Sequence, residues 1–195
     1  MRLAAYPLIL GLFLCTPGWY SLMASTTMSN KEIANVKRRD IDSEELRQKI
    51  ENSAVLLANY EIEAKKLVRL VETQGNSEGI NQQASKLMNL SESVIDSARF
   101  RLPQCDEYLA MSITLRSRLG EISHASLESD YHHDGALPEA PAECYHAKDL
   151  FIHPATVLVL TRDDPGLKNE TRMSIKAEII EVLAHTEFVR QLVLY

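Results

Sequence analysis

The chain has 195 residues, of which 45% are hydrophobic and 25% are charged, proportions close to those of an ordinary globular domain. Its net charge of −6 at pH 7 argues against a nucleic-acid partner, because phosphates require a clustered basic face. Glycine and proline occur only seven times each, which favours helices over a turn-rich β fold.

The first 24 residues have the form of a secretory signal peptide. Arg2 precedes an apolar run over residues 3–14, and Ala24 before Ser25 offers a small-residue cleavage site. The run is about 12 residues long, whereas spanning a bilayer takes roughly 20, so an uncleaved membrane anchor is the less favoured alternative. We therefore expect a periplasmic or secreted protein with no membrane contact after signal removal. A linker over 25–40 and a single helical-bundle domain over 41–195 are expected to follow.

Cys105 and Cys144 are the only cysteines beyond the signal segment. In an oxidising compartment they are expected to form a disulfide bond. In a reducing compartment the same pair, with His146 close to Cys144, would instead indicate a metal site.

Apolar residues at seven-residue intervals predict two long helices that pack as an antiparallel hairpin. The first is expected to begin near Asp42-Ser43 and to end at Gly75, and the second to cover about 79–101. A third helix is predicted over about 104–123, with a buried stripe formed by Tyr108, Met111, Leu115, Leu119 and Ile122.

The second half of the chain is predicted to begin with a loop from about His124 to Pro141, because prolines 138 and 141 disfavour helix. A short helix should begin near Ala142, and Pro154 should either kink it or start a new one. The apolar run 155–160 is interpreted as helix, since no second strand is available to pair with it. With a last helix over about 170–194, the fold class is all-α. The predicted architecture is a bundle of four to five helices with a long Pro/His-containing loop between the third and fourth.

Several histidines and acidic residues lie close together in this region. Imidazole and carboxylate groups are suitable ligands for zinc, copper or non-haem iron. Two of the histidines, His146 and His153, would lie about 10 Å apart along a helix, so a shared metal would need others to fold back over them. The favoured interpretation is that the first two histidines are exposed loop residues and that His153 caps the segment at Pro154, with a metal site as the alternative. The residues concerned are His132, His133, His146 and His153, with Asp130, Asp134 and Glu143.

His185 stands alone in the last predicted helix and is expected to be structural. No CxxCH, GxSxG, HExxH or glycine-rich phosphate loop occurs, so no motif supports catalysis or covalent haem. Whether the protein is an enzyme is left open, with the sequence favouring a non-catalytic role. No cofactor is predicted other than a transition metal.

The favoured hypothesis is an exported, non-catalytic helical module that uses residues 124–154 as a recognition surface for a protein or small ligand. The residues expected to recognise that partner are Tyr131, His132, His133, Asp134, Tyr145, His146 and His153. The alternative is a periplasmic protein that binds a metal or small ligand through its histidines. In that case His132, His133 and His146 are the first candidates for metal ligands, with His153 as a further member.

Overall fold

The structure is a computed structural model that describes the backbone of residues 30–194, and the side chains of 44–194 apart from residue 46. The predicted signal peptide or anchor over residues 1–24 lies outside the described residues. The chain divides into two units, Met1–Lys37 and Arg38–Tyr195, and the fold below is that of the second unit. Among the described residues, no helix is both long and apolar enough to cross a bilayer.

Helices α1 (Asn30–Glu72) and α2 (Ser77–Arg101) form the predicted hairpin. Helix α1 begins before the predicted start near Asp42-Ser43, so part of the expected linker is helical. The helix stop is a left-handed Gln74, with φ of 58°, followed by Gly75, whose N–H bonds the carbonyl of Leu70 at 2.7 Å. This is the Schellman arrangement, and it places the left-handed residue one position before the glycine. Asn76 then caps α2 by accepting the N–H of Gly79 at 2.8 Å.

The third predicted helix is broken into shorter pieces, so the expectation of one helix over 104–123 is wrong. Helix α3 covers Asp106–Ile113, with 3₁₀ turns at Pro103–Cys105 before it and Thr114–Arg118 after it. The hydroxyl groups of Ser112, Thr114 and Ser117 each donate to a carbonyl three residues earlier, at 2.6–2.9 Å. Such bonds compete with the α-helical pattern and favour the tighter turn. Met111, expected in the core, is 39% exposed.

The predicted loop over 124–141 contains regular structure at its start. Helix α4 (His124–Leu127) is capped by Ser123, whose hydroxyl accepts the N–H of Ser126 at 3.1 Å, and it continues into a π-helical turn over Glu128–His132. The prolines at 138 and 141 do exclude helix from the remainder of the segment. A 3₁₀ turn at Ala142–Cys144 then leads into the next long helix.

Helix α5 (Tyr145–Asp163) is the central element, packed against both α2 and the last helix, α6 (Asn169–Leu194). It is continuous through Pro154, and the run 155–160 is helical as predicted. The core contains side chains from all four long helices, including Leu57, Leu67, Leu87, Ile95, Leu150, Phe151 and Ile179. The all-α bundle is confirmed, with no strand among residues 30–194.

The predicted disulfide bond joins Cys105, at the start of α3, to Cys144, at the start of α5. Both residues are fully buried. The bond is consistent with an oxidising compartment.

Candidate functional site

Helix α5 carries three side chains of ligand type on one face. His146, Asp149 and His153 are spaced by three and then four residues, which places them on the same side of a helix. Asp149 and His153 are fully buried, and His146 is partly exposed. Because α5 is covered by its neighbours, this face is directed into the protein rather than towards solvent.

Helix α6 presents a second set with the same spacing: Glu178, Glu181 and His185. Nδ1 of His185 lies 2.9 Å from Oδ2 of Asp149, and the ring of His185 lies between those of His146 and His153, at 4.8 and 5.5 Å. Packing of α5 on α6 therefore brings the two sets together.

The π-helical turn adds a third contribution from His132. Its ring centroid lies 4.9 Å from that of His153, and its Nδ1 lies 2.8 Å from Oε2 of Glu128. The turn thus folds His132 back over α5, the movement that the sequence required for a shared metal site.

Potential ligand atoms from these elements converge in overlapping groups of three, with all atoms of a group within 4.8 Å of one another. A metal about 2.1 Å from each ligand holds ligand atoms at most about 4.2 Å apart, so small side-chain adjustments would suffice. We call this set the histidine pocket, defined as His132, His146, Asp149, His153, Glu181 and His185.

Several buried polar atoms in the histidine pocket have no hydrogen-bond partner among the residues that the structure describes. They include both carboxylate oxygens of Asp149, Nδ1 of His146, Nε2 of His153 and Nδ1 of His185. Asp149 is nevertheless compensated by charge, because its Oδ1 lies 3.4 Å from Nζ of Lys148 and its Oδ2 lies 2.9 Å from Nδ1 of His185. A buried unsatisfied polar atom costs about 1–3 kcal/mol, and a cation held by one of these groups would remove that cost for the atoms that it contacts.

The ring of His153 is oriented as metal-binding histidines usually are. Its Nδ1 lies 2.8 Å from Oε2 of Glu178, which leaves Nε2 free for a metal. A carboxylate on the far nitrogen of a histidine ligand fixes its tautomer and makes it more basic. Glu128 stands in the same relation to His132.

Lys148 anchors the turn that carries His132. Its fully buried ammonium donates to the carbonyls of Tyr131 and His132, at 2.9 and 2.7 Å, and to Oδ1 of Asp134 at 2.8 Å. It also lies 3.9 Å from the centre of the Tyr145 ring. The backbone at His132 is therefore fixed to α5 by charge-assisted hydrogen bonds from the buried ammonium group of Lys148.

Burial and neighbouring charge shift the pKa values of Asp149, His146 and the nearby Tyr145. Burial by itself would raise the pKa of Asp149, but His185, Lys148 and His153 together hold it below its ordinary range. Burial and His185 lower the pKa of His146, which keeps this imidazole neutral and available as a ligand near pH 7. Burial, with the charges of Asp149 and Asp134, raises the pKa of Tyr145 to about 12.

Two cavities lie beside His146. One, of about 420 Å³, is lined mainly by α6 and by the turn before α5, and includes Phe188, whose ring stacks on His146 at 4.4 Å. The other, of about 290 Å³, is lined by Tyr108, Asp134 and Tyr145. The histidine pocket is thus adjacent to space that is open to a small molecule.

The structure brings most of the predicted site residues together, but some of them lie in the buried pocket and others at the surface. His132, His146 and His153 belong to the histidine pocket, whereas His133 is exposed and stacks on His132 at 5.1 Å. His153 bonds Glu178 rather than capping the segment at Pro154. Tyr131 is buried and accepts a bond from Arg118 at 3.0 Å, while Asp134 and Tyr145 surround Lys148.

Sequence reasoning missed Asp149, Glu178, Glu181 and His185. A signal was present, because HxxDxxxH over 146–153 and ExxExxxH over 178–185 both repeat by three and four residues. His185, expected to be a structural histidine, does lie beside an acidic residue, Asp149, and its ring lies between those of His146 and His153.

No known protein family, curated protein or solved structure matches this chain. The function of the protein is therefore inferred from the geometry of the site.

Proposed function

We propose that this protein binds a divalent transition-metal ion in the histidine pocket. The observation that carries the proposal is a pair of overlapping groups of ligand atoms, His146–Asp149–His185 and His132–Asp149–His153, which share the fully buried carboxylate of Asp149. Their mixed nitrogen and oxygen chemistry suits zinc, copper(II), nickel or iron(II) better than calcium or magnesium.

The local charge favours a cation. The fully buried Asp149 and the mostly buried Glu178 lie among the imidazoles, and Lys148, which pairs with Asp149, is also paired with Asp134. With neutral imidazoles these two carboxylates carry more negative charge than Lys148 offsets, and a divalent ion would offset the remainder. The competing arrangement is a set of protonated histidines paired with the carboxylates, and this would leave the site without metal affinity.

We propose that the protein performs this role after export, in the periplasm or outside the cell. The buried Cys105–Cys144 bond supports an oxidising compartment. Recognition of a partner through 124–154, the first hypothesis from sequence, has less support, because Tyr131, Asp134 and His132 are engaged inside the protein.

The test is elemental analysis of protein purified without chelator, followed by calorimetric titration of metal-free protein with Zn²⁺. Asp149→Asn and His185→Ala should each weaken affinity by at least about 10–100-fold, the range seen for disturbed metal sites. Asp163→Asn and Asp96→Asn, which remove exposed carboxylates outside the histidine pocket, are the matched controls. Wild-type protein that binds no metal at pH 7.5, or site variants that bind like the controls, would refute the proposal.

A further inference from the structure

A second group of ligand-type side chains lies between solvent and the histidine pocket. It consists of Glu128, His132 and His133, whose ligand atoms lie within 4.8 Å of one another. We call it the outer triad. His133 is exposed, the Glu128 side chain is 26% exposed and that of His132 is 13% exposed, so the triad extends from the surface inwards.

The outer triad is continuous with the histidine pocket through His132. This residue also forms a group with Asp149 and His153, both fully buried. Its ring is 5.1 Å from that of His133 on the outer side and 4.9 Å from that of His153 on the inner side. The rings of His133, His132 and His153 therefore follow one another at intervals of about 5 Å from the surface to the buried pocket.

Glu128 has an unused acceptor. Its Oε2 lies 2.8 Å from Nδ1 of His132, but Oε1 is a buried atom with no hydrogen-bond partner among the described residues, and Nε2 of His124 lies 3.6 Å from it. An unpaired carboxylate oxygen beside two imidazoles is suited to a cation.

We propose that the outer triad is a transfer site, which takes a metal ion from solvent and passes it to the histidine pocket through His132. This inference rests on the proposed function. A hydrated ion loses water at high cost, and a chain of ligands replaces its water molecules one at a time. Because both groups share His132, two divalent ions would lie close together and repel each other, so the outer triad and the pocket are occupied in sequence.

A transfer site has a kinetic signature. His133 belongs to no group of the histidine pocket, so its removal leaves the final complex unchanged while making the route to it less favourable. Association and dissociation should then slow by the same factor, and their ratio, the Kd, should stay constant. A structural role for His133 would change the Kd as well.

The experiment is stopped-flow measurement of Zn²⁺ binding to the metal-free, disulfide-bonded full chain, with release followed by transfer to a chromophoric chelator. His133→Ala should slow both processes by at least about tenfold, a size typical of residues next to metal ligands, with the Kd unchanged. Asp163→Asn, which removes an exposed carboxylate outside the triad and the pocket, should bind and release at the wild-type rates. Glu128→Gln should slow both steps too, and it should also weaken binding because Glu128 orients His132.

Two results would overturn the inference while leaving the proposed function intact. Wild-type rates in His133→Ala would mean that the ion arrives by another route, such as the cavities beside His146. Slower association with a weaker Kd would make His133 a ligand of the final complex. Failure of the wild-type protein to bind Zn²⁺ at all would instead remove the proposed function itself.

Discussion

Asp149 is a fully buried carboxylate with an ammonium group on one side and imidazoles on the other. Nζ of Lys148 lies 3.4 Å from its Oδ1, and Nδ1 of His185 lies 2.9 Å from its Oδ2. Such a charge is tolerated inside a protein only when it is compensated. Lys148 supplies part of this compensation and is also committed to the turn at His132, so a metal would supply the remainder.

Tyr60 compensates for the proline inside α5. Pro154 has no N–H, so the carbonyl of Leu150, four residues earlier, lacks its usual helical partner. The buried hydroxyl of Tyr60, from α1, donates to that carbonyl at 2.8 Å. The bond restores the missing interaction and ties α1 to the central helix.

We predict that Tyr60→Phe lowers the free energy of unfolding by about 1–3 kcal/mol, the cost of an unsatisfied buried carbonyl. In a Pro154→Ala background the restored N–H at 154 should satisfy Leu150, so the same substitution should cost much less. Urea denaturation of the four proteins forms a double-mutant cycle. Equal losses in both backgrounds would show that the hydroxyl of Tyr60 acts independently of Pro154.

Among the elements, the segment after α4 shows how a stretch rich in proline and polar residues becomes fixed. Asp134 is left-handed, with φ of 62°, and the N–H of Gly135 bonds the carbonyl of Ser129 at 2.9 Å. A Cβ at Gly135 would lie 2.5 Å from that carbonyl oxygen. The chain reverses here only because the residue is glycine, and the reversal places Asp134 on Lys148.

We predict that Gly135→Ala displaces this turn, lowers the free energy of unfolding by about 1–3 kcal/mol and weakens metal binding, because His132 loses its support. Gly120→Ala is the matched control, since a Cβ there meets no atom within 4 Å. Its effect on stability should be within about 0.5 kcal/mol, and its metal affinity should equal that of the wild type. Parallel thermal denaturation and Zn²⁺ titration separate the two variants. Wild-type metal affinity in a destabilised Gly135→Ala would show that the turn does not position His132.

At the scale of the whole molecule, ion pairs between helices set the response to pH. Glu63 on α1 contacts Lys66 at 2.7 Å, Gln83 of α2 at 2.6 Å and Lys86 of α2 at 3.0 Å, and these groups lower its pKa to about 2. Since the folded pKa lies below the ordinary value of 4.5, the unfolded chain binds more protons between these two values. The contribution of Glu63 to the free energy of unfolding is therefore fully present above pH 4.5, and it is lost as the pH falls towards 2.

We predict that Glu63→Gln lowers stability at pH 7 and makes it less dependent on pH between about 4.5 and 2. Glu72→Gln, which removes a more exposed carboxylate paired with Lys176, should keep the wild-type slope in that range. Urea midpoints measured from pH 2 to pH 7 provide the comparison. Parallel curves for Glu63→Gln and the wild type would contradict the assignment.

Metal binding adds a second dependence on pH. The lowered pKa of His146 means that protons compete for this imidazole only below its ordinary value of 6.5. Stabilisation by Zn²⁺, about 2.7 kcal/mol at a concentration 100 times the Kd, should therefore persist at pH 7 and decline under acidic conditions.

Much of the fold was determined by local features of the sequence. The seven-residue apolar spacing defined the hairpin of α1 and α2, because Leu57, Ala64, Ile80 and Leu87 must be buried together for either helix to be stable. The expected export indicated the Cys105–Cys144 bond. The broken third helix was not apparent, because its apolar spacing resembles that of a continuous helix and the hydroxyl-to-carbonyl bonds that interrupt it are not part of that pattern.

The candidate site was determined by the sequence only within each helix. The spacing of His146, Asp149 and His153 on α5, like that of Glu181 and His185 on α6, follows from 3.6 residues per turn. Which face of α6 meets α5 depends on the packing of the whole core. The position of His132 depends on Gly135 and on the buried Lys148, which is 16 residues away in sequence but bonds the carbonyl of His132. Periodicity fixes what lies on one helix, but the convergence of three elements is decided by tertiary contacts that no single stretch of sequence contains.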